Sequence, residues 1–393
     1  MRMTGVTGRR TVTGGSAGSG RGQLRRLAAR GAVALALAAA ALGAAGPAAS
    51  AAGPAAVSGM LTSVAATSAS NAWAVGYGGG GALTMHWTGT SWIQVPVPAP
   101  QYSSLTAVAA ASATSAWAVG STGSDQPLIE HWTGASWARV TVHLPSGSYL
   151  FGVAAVSARN AWIVGSSGKS KWRTLILHWN GTSWKRVTSP SPKAAKSSGD
   201  TLTAATAVSP GDAWATGWIA SKSGNPARGL LLHWNGKTWR QVSAKAIPTR
   251  GGVLAAAAAT SRASALAVGC DCAKDTGGGV IDRWNGRSWV RAHLPAHPAV
   301  SSVEAVTATS WRSAWAIGMY CTTKHCTADQ AMRSMLLRWN GKTWTRTAAP
   351  LSAKDFLGGV AAVSASDAWA VGGSSAGGSL ILHWNGSSWS PSS

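Results

Sequence analysis

Acidic residues are scarce in this chain: eleven Asp and Glu stand against 34 Lys and Arg in 393 residues, a formal charge of +23. Only two of them are glutamates, Glu130 and Glu304. Hydrolysis by paired carboxylates therefore has few places to sit. There are four cysteines, four tyrosines and two phenylalanines, against 23 tryptophans. Beyond residue 51 no apolar run is long enough to span a bilayer, so no membrane span is expected. No nucleic-acid recognition motif is present, and nucleic acid is not expected as a partner.

Twenty of the tryptophans fall into seven copies of one unit, clearest as Asp367-Ala-Trp-Ala-Val-Gly372 followed by Leu380-Ile-Leu-His-Trp-Asn-Gly-Ser-Ser-Trp389. The first Trp of the unit is Trp73, Trp117, Trp162, Trp214, Trp315 or Trp369, with Leu266 in its place in the fifth copy. The second runs from Trp87 to Trp384, and the third follows five residues later, from Trp92 to Trp389. A serine stands five residues before the first Trp position in every copy, from Ser68 to Ser364. A period of about 40–50 residues signals a propeller or solenoid.

Each unit reads as four short strands. Ala116-Trp-Ala-Val119 alternates small and large residues, so Trp117 and Val119 share one face. Leu175-Ile-Leu-His-Trp179 is apolar on both faces and predicts an internal strand. Asn180-Gly181 supplies a hairpin turn and Ser183-Trp-Lys-Arg-Val187 a last strand. The fold class is all-β, a seven-bladed β-propeller of four-stranded antiparallel blades. Repeats are placed at about 57–100, 101–146, 147–197, 198–249, 250–299, 300–353 and 354–393. Because Pro391 is a poor ladder residue, Ala55-Ala-Val-Ser58 is expected to supply the outer strand of the seventh blade. The core needs no cofactor, and a monomer is expected.

Residues 1–51 lie outside this fold. Seven arginines precede the apolar run from Gly31, and Ala49-Ser-Ala51 offers a cleavage site, the order of a secretory signal peptide. Arg9-Arg10 and Arg25-Arg26 are flanked by residues that match a twin-arginine signal poorly. A secreted, extracellular or wall-associated protein is expected. No Lys or Arg lies between Ala52 and Ala138 or after Lys354, so the basic residues are one-sided. Arg139, Lys185, Arg186, Lys237, Arg240, Arg287, Arg291, Lys342 and Arg346 fall on the fourth strand or its turn. They predict a basic arc on the outer wall, suited to an anionic wall polymer or to protecting exposed strand edges.

The histidines His86, His131, His178, His233 and His383 precede the second Trp, with Arg283 and Arg338 in the other copies. They lie too far apart to share an ion and are repeat residues; no metal site is expected. Glu130 and Asp282 stand two residues before the second Trp of blades two and five, too far apart for a glycosidase pair. Glu304 starts an inner strand near the channel mouth, without an evident partner.

Connections after the second and fourth strands vary and open on one face. That face carries Tyr77, Trp172, Arg173, Trp218, Lys222 and Arg228 as candidate ligand-binding residues, with Tyr320, Lys324 and His325. Variable loops on a rigid scaffold commonly hold binding groups, and aromatic planes beside cations suit sugars or a protein surface.

The unit Ser-x-x-Asp-Ala-Trp-Ala-Val-Gly … His-Trp-Asn-Gly-x-Ser-Trp resembles repeats of secreted actinobacterial β-propellers related to the kelch and galactose-oxidase central-domain group. The resemblance covers about residues 57–393 and implies a seven-bladed ring and an extracellular life. Asn-Gly-Thr-Ser-Trp184 is similar to a degenerate Asp-box, without the spaced Ser-x-Asp-x-Gly-x-Thr-Trp pattern. Copper oxidase chemistry would need a ligand set and a Tyr–Cys cofactor that Tyr320 beside Cys321 does not supply. The expected function is a non-catalytic binding module for a cell-surface glycan or protein. The alternatives are a carbohydrate-active enzyme at the channel mouth near Glu304 and wall association through the basic arc.

Cys270, Cys272, Cys321 and Cys326 lie between the second and third strands of blades five and six. In an oxidising compartment two disulfides are expected rather than zinc, for which Cys-x-Cys and Cys-x₄-Cys are poor spacings. Cys321 with Cys326 closes an easy loop, Cys270 with Cys272 a tight one, and cross-pairing between the blades is the other option. Intact mass before and after reduction should rise by about four hydrogens. Four free thiols in the native protein would overturn the expectation.

Overall fold

In the computed structural model, residues 57–191, 199–221, 226–243, 251–271, 278–296, 300–322 and 332–392 are described. Their 28 strands form seven four-stranded sheets, each antiparallel and ordered as the chain runs. Blade one sets the plan: β1 (Met60–Ser68), β2 (Asn71–Gly78), β3 (Gly81–Trp87) and β4 (Trp92–Gln94). First strands of successive blades contact one another around the ring, and that of blade seven (Phe356–Ser364) returns to β1. The first strand is therefore axial and the fourth is the outer edge. No helix occurs among the described residues, so none is long and apolar enough to cross a membrane.

The large-and-small alternation of the second strand decides how blades stack. Trp117 and Val119 of blade two sit in one cluster with Leu150, Ile163, Leu177 and Trp184 of blade three. Ala116 and Ala118, on the opposite face, receive Trp73 and Val75 of blade one. Each core cluster thus spans two blades, and no blade has a core of its own.

The first Trp of a blade wedges between the second and third Trp of the next. Trp73 lies 4.6 Å from Trp132 and 5.0 Å, edge-on, from Trp137. Trp162 repeats this with Trp234 at 5.1 Å and Trp239 at 5.2 Å. Trp369 of blade seven closes the ring on Trp87 at 4.8 Å and Trp92 at 5.1 Å. In blade five Leu266 takes the position and packs with Trp339 and Trp344, while the Arg283 guanidinium lies 5.6 Å over Trp339.

Polar contacts repeat as strictly at one end of the ring. The indole N–H of every second Trp donates to the carbonyl of the residue after the turn serine, from Trp87 to Ala69 through Trp384 to Ala365. Each turn serine accepts, through Oγ, the N–H two residues on. These bonds fix the turns between first and second strands, which explains why the serine and the second Trp never vary.

Ring closure differs from the sequence expectation. Blade seven builds its own outer strand, Trp389–Pro391, and Pro391 pairs opposite Leu382. A proline is accommodated because this strand is an edge with one face unpaired. Of the segment expected there, Ala55 and Ala56 lie outside the described residues. Val57 accepts the Ser379 N–H at 2.9 Å and Ser58 bridges Gly378, at the start of the third strand. Among the described residues the amino-terminal segment bridges blade seven and adds no strand to it.

Closure therefore rests on side-chain packing. Trp369→Ala should cost about 3–5 kcal/mol, the range for emptying a buried aromatic site. Removing residues 1–58 should cost about 1 kcal/mol, the worth of one backbone hydrogen bond and its bridge. Urea unfolding of both variants checks this; a truncation as damaging as Trp369→Ala would contradict it.

Candidate functional site

The first strand of every blade carries a bulge near the variable-loop end. The residues at the bulge are Thr62, Thr106, Phe151, Thr203, Ala255, Glu304 and Gly358. Two of the three threonines join blades there: Thr62 Oγ1 donates to Val75 and, across to blade two, to Leu105 at 2.8 Å, whereas Thr106 bonds Val119 of its own blade. Thr203 does the same toward Leu254 of blade five, also at 2.8 Å. Phe151 and Glu304 are the two exceptions that bring new chemistry to this ring.

Phe151 begins an aromatic row on the variable face. Its ring is nearly parallel to Tyr149, with centroids 6.3 Å apart, and Tyr149 is tilted against Trp172 at 5.2 Å. All three are half-buried. Trp172 is held across the blade boundary: its carbonyl accepts the Asp200 N–H at 3.0 Å, and the residue bridges Gly199. A Cβ at Gly199 would come within 2.5 Å of the Trp172 Cβ, so only glycine allows this approach.

Asp200 lies beside the row, at the start of the first strand of blade four. It is 2% exposed, and its Oδ1 has no hydrogen-bond partner among the described residues. Burial raises its pKa to about 6, against the opposing pull of Arg173, Lys171 and Arg228 and a hydrogen bond from Ser191. Arg173 and Arg228 are exposed. The result is a buried acceptor among three cations, joined through its backbone to Trp172 at one end of the aromatic row.

The structure joins only some of the candidates. Trp172, Arg173 and Arg228 converge at blades three and four. Tyr77 stands on blade one, half-buried, with its hydroxyl 3.6 Å from Met60 Sδ and its pKa pushed up to about 12 by burial. Trp218 is 5% exposed and paired between Thr201 and Gly229, so the core claims it and it is withdrawn as a ligand contact. Lys222, Lys324, His325, Cys272 and Cys326 lie outside the described residues. Cys270 and Cys321 are half-cystines, and none of the described cysteines is free. Sequence reasoning missed Tyr149, Phe151 and Asp200.

The histidines serve the scaffold. Each stacks on the first Trp of its own blade, from 4.0 Å for Trp117–His131 and Trp214–His233 to 4.2 Å for Trp73–His86. His86, His233 and His383 also bond Asn71, Asp212 and Asp367 at 2.8–2.9 Å. In blade six Arg338 substitutes, with its guanidinium 5.5 Å over Trp315 and 5.0 Å over Trp384. Among the described residues no group of three or more His, Cys, Asp or Glu is placed to hold a metal ion.

The searches of family models and of curated proteins return no match. Solved structures do match. A polysaccharide lyase, PL25 ulvan lyase, superposes with a TM-score of 0.58 at 10% identity, over 86% of this chain and 96% of that one. YCF48 from Cyanidioschyzon merolae gives 0.56 at 17% identity, over 84% and 97%. The GH74 xyloglucanase from Xanthomonas campestris gives 0.56 at 15% identity, over 85% of this chain and 54% of that one. What they share with this chain is the propeller. At such identities fold alone is shown.

Glu304, the candidate acid of the channel mouth, accepts a hydrogen bond from Ser302 at 2.5 Å, and burial raises its pKa. It is the one carboxylate on the bulge ring. Glu130 is fully buried in blade two and Asp282 in blade five, each opposite an arginine of the fourth strand. Arg291 Nε donates to Asp282 Oδ1 at 2.5 Å. Neither oxygen of Glu130 has a hydrogen-bond partner, and burial raises its pKa to about 7, against the attraction of Arg139.

Glu130 has a pH signature. Its pKa is higher folded than unfolded, so the folded state binds the extra proton and stability falls as pH rises from about 4.5 to about 7. The loss should approach about 3 kcal/mol, at 1.36 kcal/mol per pKa unit. Glu130→Gln should remove it, gaining on the wild type at pH 8 but not at pH 4.5. Denaturant melts at both pH values check this; a constant difference between the two proteins would contradict it.

Proposed function

We propose that this protein is an exported binding module that takes a saccharide on its variable-loop face at the boundary of blades three and four. The observation that carries the reading is the row Phe151–Tyr149–Trp172 beside the unpartnered Oδ1 of Asp200. A pyranose ring offers apolar C–H faces to aromatic planes and hydroxyls to a buried acceptor. The Trp172 backbone is fixed by Asp200 and Gly199, so little ordering accompanies binding. Export is supported by the arginine-rich start, the apolar run and the small-residue cleavage site in residues 1–51.

The solved propellers named above include a polysaccharide lyase and a xyloglucanase, which shows only that the scaffold can present such ligands. A binding role is favoured over hydrolysis because Glu304 has no second carboxylate on the bulge ring. A protein ligand remains the competing occupant of the same face.

Titration of the mature protein against a panel of soluble glycans tests this. Trp172→Ala and Tyr149→Ala should each weaken binding about tenfold or more, within the range for losing one aromatic stacking contact. If Asp200 accepts ligand hydroxyls in its ionised form, affinity should fall below about pH 6, and Asp200→Asn should abolish that pH dependence. Failure of every glycan to bind, or binding indifferent to both aromatic substitutions, would sink the reading.

A further inference from the structure

The opposite end of the propeller, where the turn serines lie, is not uniform. In blades seven, one and two both turns are neutral, as in Ser364-Ala-Ser366 and Asn385-Gly-Ser-Ser388. From blade three to blade six they carry Arg159, Lys237, Arg262, Arg287, Arg312 and Lys342, all exposed. Sequence reasoning assigned three of these to the outer wall; the fold places them at the turns instead. The two turns of a blade touch: a Cβ at Gly341 would lie 3.2 Å from the Arg312 side chain, so Lys342 and Arg312 belong to one patch.

Carboxylates do not balance this sector. Asp212 is 2% exposed and already engaged by His233 at 2.9 Å and by Arg262 at 3.5 Å. Arg262 belongs to blade five and Asp212 to blade four, so this pair ties neighbouring turns together. Three of the outer-wall arginines are engaged within the blades. Arg291 is bound to Asp282, Arg139 faces Glu130, and Arg346 lies 5.2 Å over Tyr320.

At the basic end of this sector stands Trp311, 53% exposed, with the Arg312 guanidinium stacked 4.3 Å from its ring. Four other blades have alanine at that position: Ala69, Ala113, Ala158 and Ala365. The scaffold requires only the backbone there, because the Trp339 indole bonds the Trp311 carbonyl at 3.0 Å. Among the described residues no core cluster includes the Trp311 side chain, and Arg312 is the one group stacked on it.

We infer that the turn face of blades three to six binds an acidic polysaccharide, a sugar ring stacking on Trp311 and carboxylate groups meeting the arc of turn cations. A flat exposed indole suits a ring, and a row of exposed cations, of which only Arg262 has a carboxylate partner among the described residues, suits a repeating anion. This surface is distinct from the variable face and its assignment does not depend on the one made there.

The test uses the mature chain with polygalacturonate as the acidic polysaccharide, dextran as a neutral one and polyphosphate as an anion without rings. Polygalacturonate should bind and weaken with salt, dextran should not bind, and polyphosphate should bind more weakly. Replacing Lys237, Arg287 and Lys342 together by serine should reduce the slope of log affinity against log salt by about one per cation removed. Trp311→Ala, the residue other blades carry, should weaken binding about tenfold at an unchanged slope. Trp172→Ala should leave this binding untouched, which separates it from the variable face. An unchanged slope in the triple variant, or no effect of Trp311→Ala, would overturn the assignment. So would equal loss in the outer-wall variant Lys185→Ser/Arg186→Ser, or polyphosphate binding as tight as polygalacturonate.

Discussion

The wedge of one tryptophan between two tryptophans of the next blade is the contact on which the rest of the ring depends. It supplies the largest side chains between sheets whose facing surfaces are otherwise aliphatic. It also makes the blades interdependent, since each buries its largest side chain in a neighbour. The histidine stacked on that tryptophan, or an arginine where histidine is absent, completes the filling of the space. Closure at Trp369 follows the rule of the five internal boundaries that carry a tryptophan wedge, so the first and last blades need no special device; only between blades five and six does Leu266 replace the indole.

Because the scaffold repeats so strictly, departures from it carry the functional information. At the bulge ring Thr62 and Thr203 bond across blades, and Phe151 and Glu304 bring other chemistry to the equivalent positions. At the turns alanine suffices, and Trp311 exceeds what the turn needs. At the variable end Asp200 is a buried carboxylate with an idle oxygen, in a chain with few acids. Burial of such a group costs free energy, which the neighbouring Arg173, Lys171 and Arg228 and the Ser191 hydrogen bond offset in part.

Fold legibility was high because periodicity of Trp, Ser and Gly encodes strand, turn and facing surface directly. The alternation in Ala116-Trp-Ala-Val119 anticipated which face of the blade is bulky. The site was only partly legible. Trp172, Arg173 and Arg228 were found because they fall outside the repeat register, whereas Trp218, equally outside it, is core. Sequence distance from the register does not show whether a side chain points into the sheet stack or away. Phe151 carried a readable signal, aromatic where three other blades have threonine, but only the bulge register makes the positions comparable. Tyr149 and Asp200 meet Trp172 across a blade boundary, and no local pattern reports that approach. The expected outer strand failed for a related reason: an edge strand tolerates proline because its outer N–H positions need no partner.

If side-chain wedges alone close the ring, the point at which the chain begins is immaterial. The two ends of the described chain both lie on blade seven, with Val57 bonded to Ser379 and Pro391 paired with Leu382. A circular permutant joining residue 392 to residue 57 by a short glycine-serine linker, and opening between blades three and four, tests this directly. Unfolding should be cooperative, with a midpoint close to that of the parent, since every blade remains contiguous. A permutant that fails to fold, or loses much of its stability, would contradict closure by packing alone.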